Sequence, residues 1–114
     1  MPYIDSKVTM KLSETQKETL KSALGQIISS IPGKSETYLM VGFDDEYSLF
    51  FGGNKLDQGA FIEVKIFGNT SDAALETVTS KICALFEKEL GIPQKAIYVK
   101  YEFVSHWGWN GHNF

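Results

Sequence analysis

The sequence predicts an α+β fold in which two βαβ units form one four-stranded sheet with both helices on one face. Two observations support this prediction: the elements run strand, helix, strand, turn, strand, helix, strand, and the second half repeats the first. Consecutive right-handed βαβ crossovers place their helices on the same side of a sheet. With 114 residues and 43% hydrophobic composition, residues 1–114 are expected to form a single domain.

The first repeat begins with a short apolar strand at Pro2–Val8 and continues into an amphipathic helix. Ser13 and Gln16 have the spacing of a capping box, which predicts where this helix starts. Because Pro32 lacks a backbone N–H donor, we expect the helix to end near Ser30. The apolar stripe that should face the core consists of Leu20, Leu24, Ile27, Ile28 and Ile31.

The second repeat contains another amphipathic helix. We expect it to start after Thr70 and Ser71, which are both N-cap candidates, and to end at Gly91. Cys83 lies within this helix and is interpreted as a small buried hydrophobe rather than a reactive thiol. The apolar stripe consists of Leu75, Val78, Ile82, Leu85 and Phe86.

Strand patterns fill the remaining segments. Residues 37–43 are almost continuously apolar, which predicts an internal strand covered on both faces. Ala60–Phe67 alternates instead, with its even-numbered apolar residues on one face. A last alternating strand begins at Ile97, and Gly52-Gly53 marks a turn after residues 47–51.

Matching residues make the repeat visible. Ile31-Pro32 precedes the strand region containing Tyr38, and Ile92-Pro93 precedes the strand containing Tyr98. Two amphipathic helices can cover only one face of such a sheet. The other face would then need a cover, so we expect the chain to associate with itself.

Charge and composition exclude several classes of function. The net charge of −3 arises from interspersed acidic and basic residues, so no basic stripe favours nucleic acid. No apolar run approaches the roughly 20 residues of a membrane span, and the first residues lack the apolar region of a signal peptide. We therefore expect a cytoplasmic protein, with non-conventional release as the alternative. His106 and His112 have no nearby acidic or cysteine cluster, so no metal or other cofactor is expected.

Four separated segments carry a resemblance to a known family. They are Met1-Pro2, Pro32-Gly33-Lys34, Phe51-Gly52-Gly53 and the Trp-Gly-Trp-Asn-Gly run at 107–111. Together with Phe114 they make the whole chain resemble the macrophage migration inhibitory factor family. This resemblance implies a tautomerase fold assembled as a homotrimer, in which the sheets wall a central barrel and active sites lie between adjacent subunits.

The same resemblance implies the catalytic base. The family uses an N-terminal proline, and Pro2 takes that position once Met1 is removed. An α-amino group ordinarily has a pKa near 8 and a pyrrolidine amine is more basic, so this amine would be mostly protonated at neutral pH. Burial and the charge of Lys34 are expected to lower its pKa. If Met1 stays, the Pro2 nitrogen is an amide without a basic lone pair.

The other site residues also follow from the resemblance. Lys34 is expected to bind the substrate carboxylate, and the backbone N–H of Ile66 to donate a second hydrogen bond. Lys100 stands where the mammalian cytokine has an asparagine and would add a second cation to the pocket. The expected aromatic walls are Tyr38, Tyr98, Trp109 and Phe114.

These residues lead to the hypothesis of a keto–enol tautomerase that acts on a small aromatic α-keto acid such as phenylpyruvate. One alternative is a cytokine-like protein that binds a receptor and retains the pocket as a vestige. Another is a trimer with a purely structural role. If the protein is the enzyme, a Pro2 variant should lose turnover. Receptor binding should survive in the same variant if the protein is cytokine-like, and a structural trimer should show neither turnover nor a ligand in the pocket.

Overall fold

The structure, a computed structural model, describes residues 1–114 and contains two α-helices, a four-stranded sheet and two short hairpins. In chain order the elements are β1 (Pro2–Val8), α1 (Glu14–Ile28), β2 (Met40–Asp44), β3 (Phe50–Phe51), β4 (Asn54–Lys55), β5 (Ala60–Phe67), α2 (Asp72–Leu90), β6 (Ile97–Val104), β7 (Gly108–Trp109) and β8 (His112–Asn113).

The four-stranded sheet has the order β2-β1-β5-β6. β1 and β2 are parallel, as are β5 and β6, so each pair forms a βαβ unit with the helix between its strands. The two units meet at β1 and β5, which pair antiparallel. The predicted fold class and the predicted repeat are both confirmed.

Both helices begin at their predicted capping residues. Ser13 Oγ accepts a hydrogen bond from the Gln16 N–H at 3.1 Å, and Gln16 Oε1 accepts one from the Ser13 N–H at 2.9 Å. Ser71 Oγ caps α2 by accepting from the Ala74 N–H at 3.1 Å. Gly91 ends α2 in the left-handed conformation, with φ of 70°, which favours glycine. No helix combines the length and the apolar character that a membrane crossing requires.

The hydrophobic core lies between the two helices and one face of the sheet. β5 alternates as predicted, with Ala60, Ile62, Val64 and Ile66 buried. The whole predicted stripe of α1 is buried, whereas Leu75 and Leu85 of the α2 stripe are only partly buried. Cys83 is buried, and this burial, followed by the charge of Glu87, raises the pKa of its thiol. Its interpretation as a packing residue is confirmed.

The prediction for residues 37–43 is wrong. Glu36–Tyr38 forms a 3₁₀ turn, and only the later residues belong to β2, which is an edge strand of the sheet. Val41 and Phe43 pack against the core, but Met40 is 69% exposed. An uninterrupted apolar run shows that charges are absent, and it does not show whether a neighbouring strand or helix covers the residues.

The sheet face opposite the helices, which we call the open face, carries ion pairs. Lys7 Nζ lies 2.7 Å from Asp5 Oδ2 and 3.7 Å from Glu63 Oε2, and Lys100 Nζ lies 3.0 Å from Glu102 Oε1. Charged side chains tolerate water, so the open face of a single chain is not an apolar surface, and the expected self-association stays a prediction. Exposed large apolar side chains gather at the two ends of the sheet instead.

The two ends of the sheet bring different chain segments together. At the first, which we call the Pro2 end, the start of β1 meets the end of β5. At the second, the far end, Phe61 of β5 pairs with Tyr98 of β6. Along β5 the far end is about 20 Å from Phe67, at a rise of about 3.3 Å per residue.

Candidate active site

The chain start forms the last pairs of the β1–β5 ladder. Pro2 is buried and lies opposite Ile66. This pair is a non-hydrogen-bonded one, so the missing N–H of proline leaves no gap in the ladder. The next ladder bond runs from the Phe67 N–H to the Met1 carbonyl oxygen at 3.0 Å. The backbone on both sides of the Pro2 nitrogen is thus held in place.

A tight turn after α1 brings Lys34 to the same end of the sheet. The Lys34 N–H donates to the Ile31 carbonyl at 3.0 Å across Pro32 and Gly33. Gly33 has φ of 80°, which suits the third residue of a type II turn and strains residues with a side chain. Lys34 Nζ donates to the Phe67 carbonyl oxygen at 2.8 Å. The ammonium group is therefore held beside the chain start.

The electrostatics of this end disfavour a protonated amine. Burial, and then the positive charge of Lys34, lower the pKa of the Met1 amine from its usual value. Pro2 is the adjacent residue and is buried, whereas Met1 is partly exposed. Pro2 therefore lies next to the burial and the ammonium group that lower the pKa of the Met1 amine.

Three exposed aromatic side chains form a cluster at the Pro2 end. Tyr38 meets Trp109 edge to face with ring centroids 5.8 Å apart, and Trp109 lies nearly parallel to Phe114 at 6.2 Å. Phe114 also contacts Phe67 at 5.8 Å. Tyr38, Trp109 and Phe114 are each more than half exposed. An exposed aromatic patch beside a cation is typical of a binding surface.

A short hairpin positions Trp109, and the sequence analysis missed it. β7 and β8 flank Asn110 and Gly111, whose φ values are 53° and 83°. An Asn-Gly pair with two positive φ angles is the preferred two-residue hairpin turn, so this dipeptide was a usable signal. The N–H of Phe114 donates to the Trp107 carbonyl at 3.0 Å, which ties the last residue to this hairpin.

Tyr98 and Lys100 do not join the other predicted site residues. Tyr98 lies at the far end, where its ring contacts Phe51 at 5.3 Å and Phe61 at 6.3 Å. Lys100 is on the open face, paired with Glu102. Within one chain, the structure brings together Pro2, Lys34, Ile66, Tyr38, Trp109 and Phe114.

The expected donor at Ile66 is also corrected. Successive N–H groups of a strand point to opposite sides, and the Phe67 N–H points to β1. The Gly68 N–H donates to Val104, the last residue of β6, so the even-numbered N–H groups of this segment, including that of Ile66, point to β6. Sequence reasoning missed Phe67 because strand pairing decides which N–H faces Pro2.

The arrangement offers a buried chain start, a fixed ammonium group and an aromatic surface. A cation binds a carboxylate, exposed aromatic rings bind an apolar ring, and a neutral amine accepts a proton. No group of three or more His, Cys, Asp or Glu side chains is placed to hold a metal ion. The chemistry that these residues offer is proton transfer on a bound anion.

Two comparisons with known sequences point to the same family. The family model for macrophage migration inhibitory factor (MIF) matches residues 1–114. A macrophage migration inhibitory factor from Xenopus laevis is 25% identical over 99 residues, which are 85% of each chain.

Solved structures show the same architecture. MIF2 of Leishmania major is 33% identical with a TM-score of 0.93, and the match covers 100% of this chain and 97% of that chain. A MIF homologue from Prochlorococcus marinus is 28% identical with a TM-score of 0.81, over 98% of both chains. The MIF of Toxoplasma gondii, 23% identical with a TM-score of 0.88 over 98% of this chain and 99% of that chain, shows the fold alone.

Proposed function

Because the chain belongs to the macrophage migration inhibitory factor family and has the tautomerase fold, we propose that it is a keto–enol tautomerase of a small aromatic α-keto acid. Phenylpyruvate is the first substrate to test, since it combines a carboxylate, an α-carbonyl and an aromatic ring. The base is the nitrogen of Pro2 after removal of Met1, and Lys34 binds the carboxylate.

The reaction is a proton transfer between carbon and oxygen. The neutral Pro2 nitrogen takes a proton from the substrate carbon between the carbonyl and the ring. The released electron pair forms the carbon–carbon double bond, and the carbonyl oxygen becomes an enolate oxygen that takes a proton from water, while the Pro2 ammonium returns its proton to water and is neutral again. In the reverse direction the protonated nitrogen returns a proton to carbon. No electron carrier is needed, because the substrate is neither oxidised nor reduced.

The position of Lys34 is the observation that carries this proposal. Its Nζ is held 2.8 Å from the carbonyl oxygen of Phe67, whose N–H binds Met1. One ammonium group therefore serves two purposes. It attracts the substrate carboxylate, and it disfavours the protonated form of the adjacent chain-terminal amine.

The aromatic cluster supports an aromatic substrate. Trp109 and Phe114 lie nearly parallel, with an interplanar angle of 11°, and both are exposed. A phenyl ring placed against them gains apolar contact and ring stacking worth about 0.5–1.5 kcal/mol beyond area burial. A short aliphatic α-keto acid would leave this surface exposed to water.

The proposed assembly is a homotrimer with sites between subunits. Each chain exposes one aromatic cluster at the Pro2 end and a second at the far end, around Tyr98. Contact between unlike ends of two copies closes a ring when the rotation between them is one third of a turn. Tyr98 and Lys100 of the partner subunit then complete the site, and Lys100 adds a second cation for anionic substrates.

Turnover of phenylpyruvate by protein with a confirmed Pro2 N-terminus tests the proposal. The enol form absorbs in the ultraviolet, so its appearance or loss reports the rate. We expect a rate above that of buffer, and a lower rate for pyruvate at equal concentration. A phenylpyruvate rate equal to that of buffer contradicts the proposed function.

A further inference from the structure

Lys100 on the open face has a fixed anionic neighbour. Its Nζ lies 3.0 Å from Oε1 of Glu102, two residues further along β6, and the two side chains keep 51% and 41% of their surface exposed. The hydrogen bond with Glu102, and then its charge, raise the pKa of Lys100, and the same contact lowers the pKa of Glu102. Both groups are therefore charged near neutral pH, and a carboxylate offsets the positive charge of Lys100.

The other carboxylates of the open face gather around a different lysine. Glu63 lies opposite Lys100 in the β5–β6 register, but its Oε2 is 3.7 Å from Lys7 Nζ. Two more carboxylates lie 2.7 and 3.9 Å from Lys7 Nζ, those of Asp5 and Asp44. Glu102 is therefore the carboxylate that forms an ion pair with Lys100.

The alternation of β6 places this ion pair in line with an aromatic ring. Tyr98, Lys100 and Glu102 point to the same face, with steps of about 6.6 Å between them. Lys100 thus stands between the ring and the carboxylate. A ligand whose own ring lies against Tyr98 can reach Lys100 only with a substituent on that ring. If the substituent is anionic, it meets the like charge of Glu102 as well as the opposite charge of Lys100.

We propose that Glu102 is a specificity-determining residue, which holds Lys100 and so favours substrates with one carboxylate over those with a second anionic group on the ring. The inference rests on the proposed function, in which Tyr98 and Lys100 of the partner subunit complete the site. Lys100 supplies attraction for a second anion, and Glu102 limits it. Rejection of an unwanted ligand by a like charge is a common source of specificity.

Two unreactive ligands that differ by one carboxylate test this proposal. They are 3-phenylpropanoate and 3-(4-carboxyphenyl)propanoate, and calorimetry on the Met1-free full chain gives the Kd of each. The readout is the ratio of the two Kd values, measured at an ionic strength of about 0.01 M, where the Debye length is about 30 Å. Glu102→Gln should shift this ratio about threefold in favour of the dicarboxylate, a small factor because exposed ion pairs are weak.

A matched control separates the ion pair from the change in net charge. Glu18 Oε2 lies 2.8 Å from Lys21 Nζ on α1, so Glu18→Gln removes the same charge from the same kind of exposed pair on the helix layer. It should leave the ratio at the wild-type value. In a Lys100→Gln background, Glu102→Gln should no longer shift the ratio. Equal ratios for Glu102→Gln and the wild type, or a shift that persists without Lys100, would overturn the inference.

The two proposals fail separately. A shifted ratio for Glu102→Gln in a protein without phenylpyruvate turnover keeps the role of Glu102 and contradicts the tautomerase. Turnover of phenylpyruvate with an unshifted ratio keeps the tautomerase and contradicts the role of Glu102.

Discussion

The two repeats carry a similar pattern after their helices, yet only one of them builds the candidate site. Ile31-Pro32-Gly33-Lys34 follows α1, and Ile92-Pro93-Gln94-Lys95 follows α2. In the first, Gly33 at φ of 80° closes a tight turn and Lys34 reaches Phe67. In the second, residues 94–96 form a 3₁₀ turn and Lys95 stays exposed. Both repeats carry the lysine, so the difference in what it contacts arises from the conformation of the turn before it.

The two ends of the sheet differ in a related way. The far end has an aromatic cluster around Tyr98 and a cavity of about 60 Å³ lined only by hydrophobic residues. The Pro2 end adds Lys34 and the chain start to its aromatic side chains. Aromatic residues alone therefore do not define a site. The proposed chemistry requires a cation and a chain-terminal amine in one place.

Substitution of the two prolines should give the largest contrast. Pro2→Gly, compared with Pro93→Gly in the second repeat, should lower kcat/KM for phenylpyruvate about 100-fold, since a positioned general base contributes about 10²–10⁴-fold. Pro93→Gly should leave the rate of the folded protein unchanged. Steady-state kinetics on Met1-free material measures both. Similar rates for the two variants would remove Pro2 from the mechanism.

Substitution of the two lysines comes next. Lys34→Ala should lower kcat/KM about 10–100-fold, mainly through KM, because a charged hydrogen-bond partner is worth about 1.5–3 kcal/mol. Lys95→Ala is the matched control and should behave like the wild type. A comparable loss in both variants would mean that the turn geometry has no functional consequence.

The pH dependence of kcat/KM tests the role proposed for Lys34. Only the neutral amine accepts a proton, so activity should fall as pH drops through the pKa of Pro2. Burial and the Lys34 charge lower the pKa of the Met1 amine at this end of the sheet, and we expect the same effect on an amine at Pro2. Lys34→Gln removes the charge, so the acid limb of kcat/KM should move to higher pH. If the acid limb of kcat/KM stays at the same pH in this variant, Lys34 does not lower the pKa of the Pro2 amine.

A substitution in the turn should give the smallest effect. Gly33→Ala should lower the free energy of unfolding by about 1 kcal/mol, since left-handed backbone is unfavourable for residues with a Cβ. The added Cβ meets no atom within 4 Å, so the loss should be conformational rather than steric. Gln94→Ala should change stability by less than about 0.5 kcal/mol. Urea unfolding of both variants measures the difference.

Local sequence signals predicted most of the fold. The capping residues Ser13 and Ser71 marked the helix starts, and the alternation of Ala60–Phe67 marked a strand with one buried face. These signals succeed because capping and alternation depend on residues close in sequence. Burial of residues 37–43 depends on neighbours distant in sequence, so the apolar run alone does not reveal that β2 is an edge strand.

The candidate site was predictable only in part for the same reason. The resemblance named Pro2 and Lys34, and the structure places them at one end of the sheet. The donor at Phe67 depends on strand pairing between residues far apart in sequence, which no local pattern reveals. Tyr98 lies at the other end of the same sheet, so the role proposed for it requires a second copy of the chain.

We propose that the Pro2 end becomes an active site only when the chain starts at proline. The most direct test follows one preparation of Met1-retained protein during treatment with methionine aminopeptidase. Intact mass gives the fraction trimmed, and phenylpyruvate turnover is measured on the same samples. The rate should rise from the buffer value in proportion to the trimmed fraction. A rate that stays constant while Met1 is removed would contradict the claim.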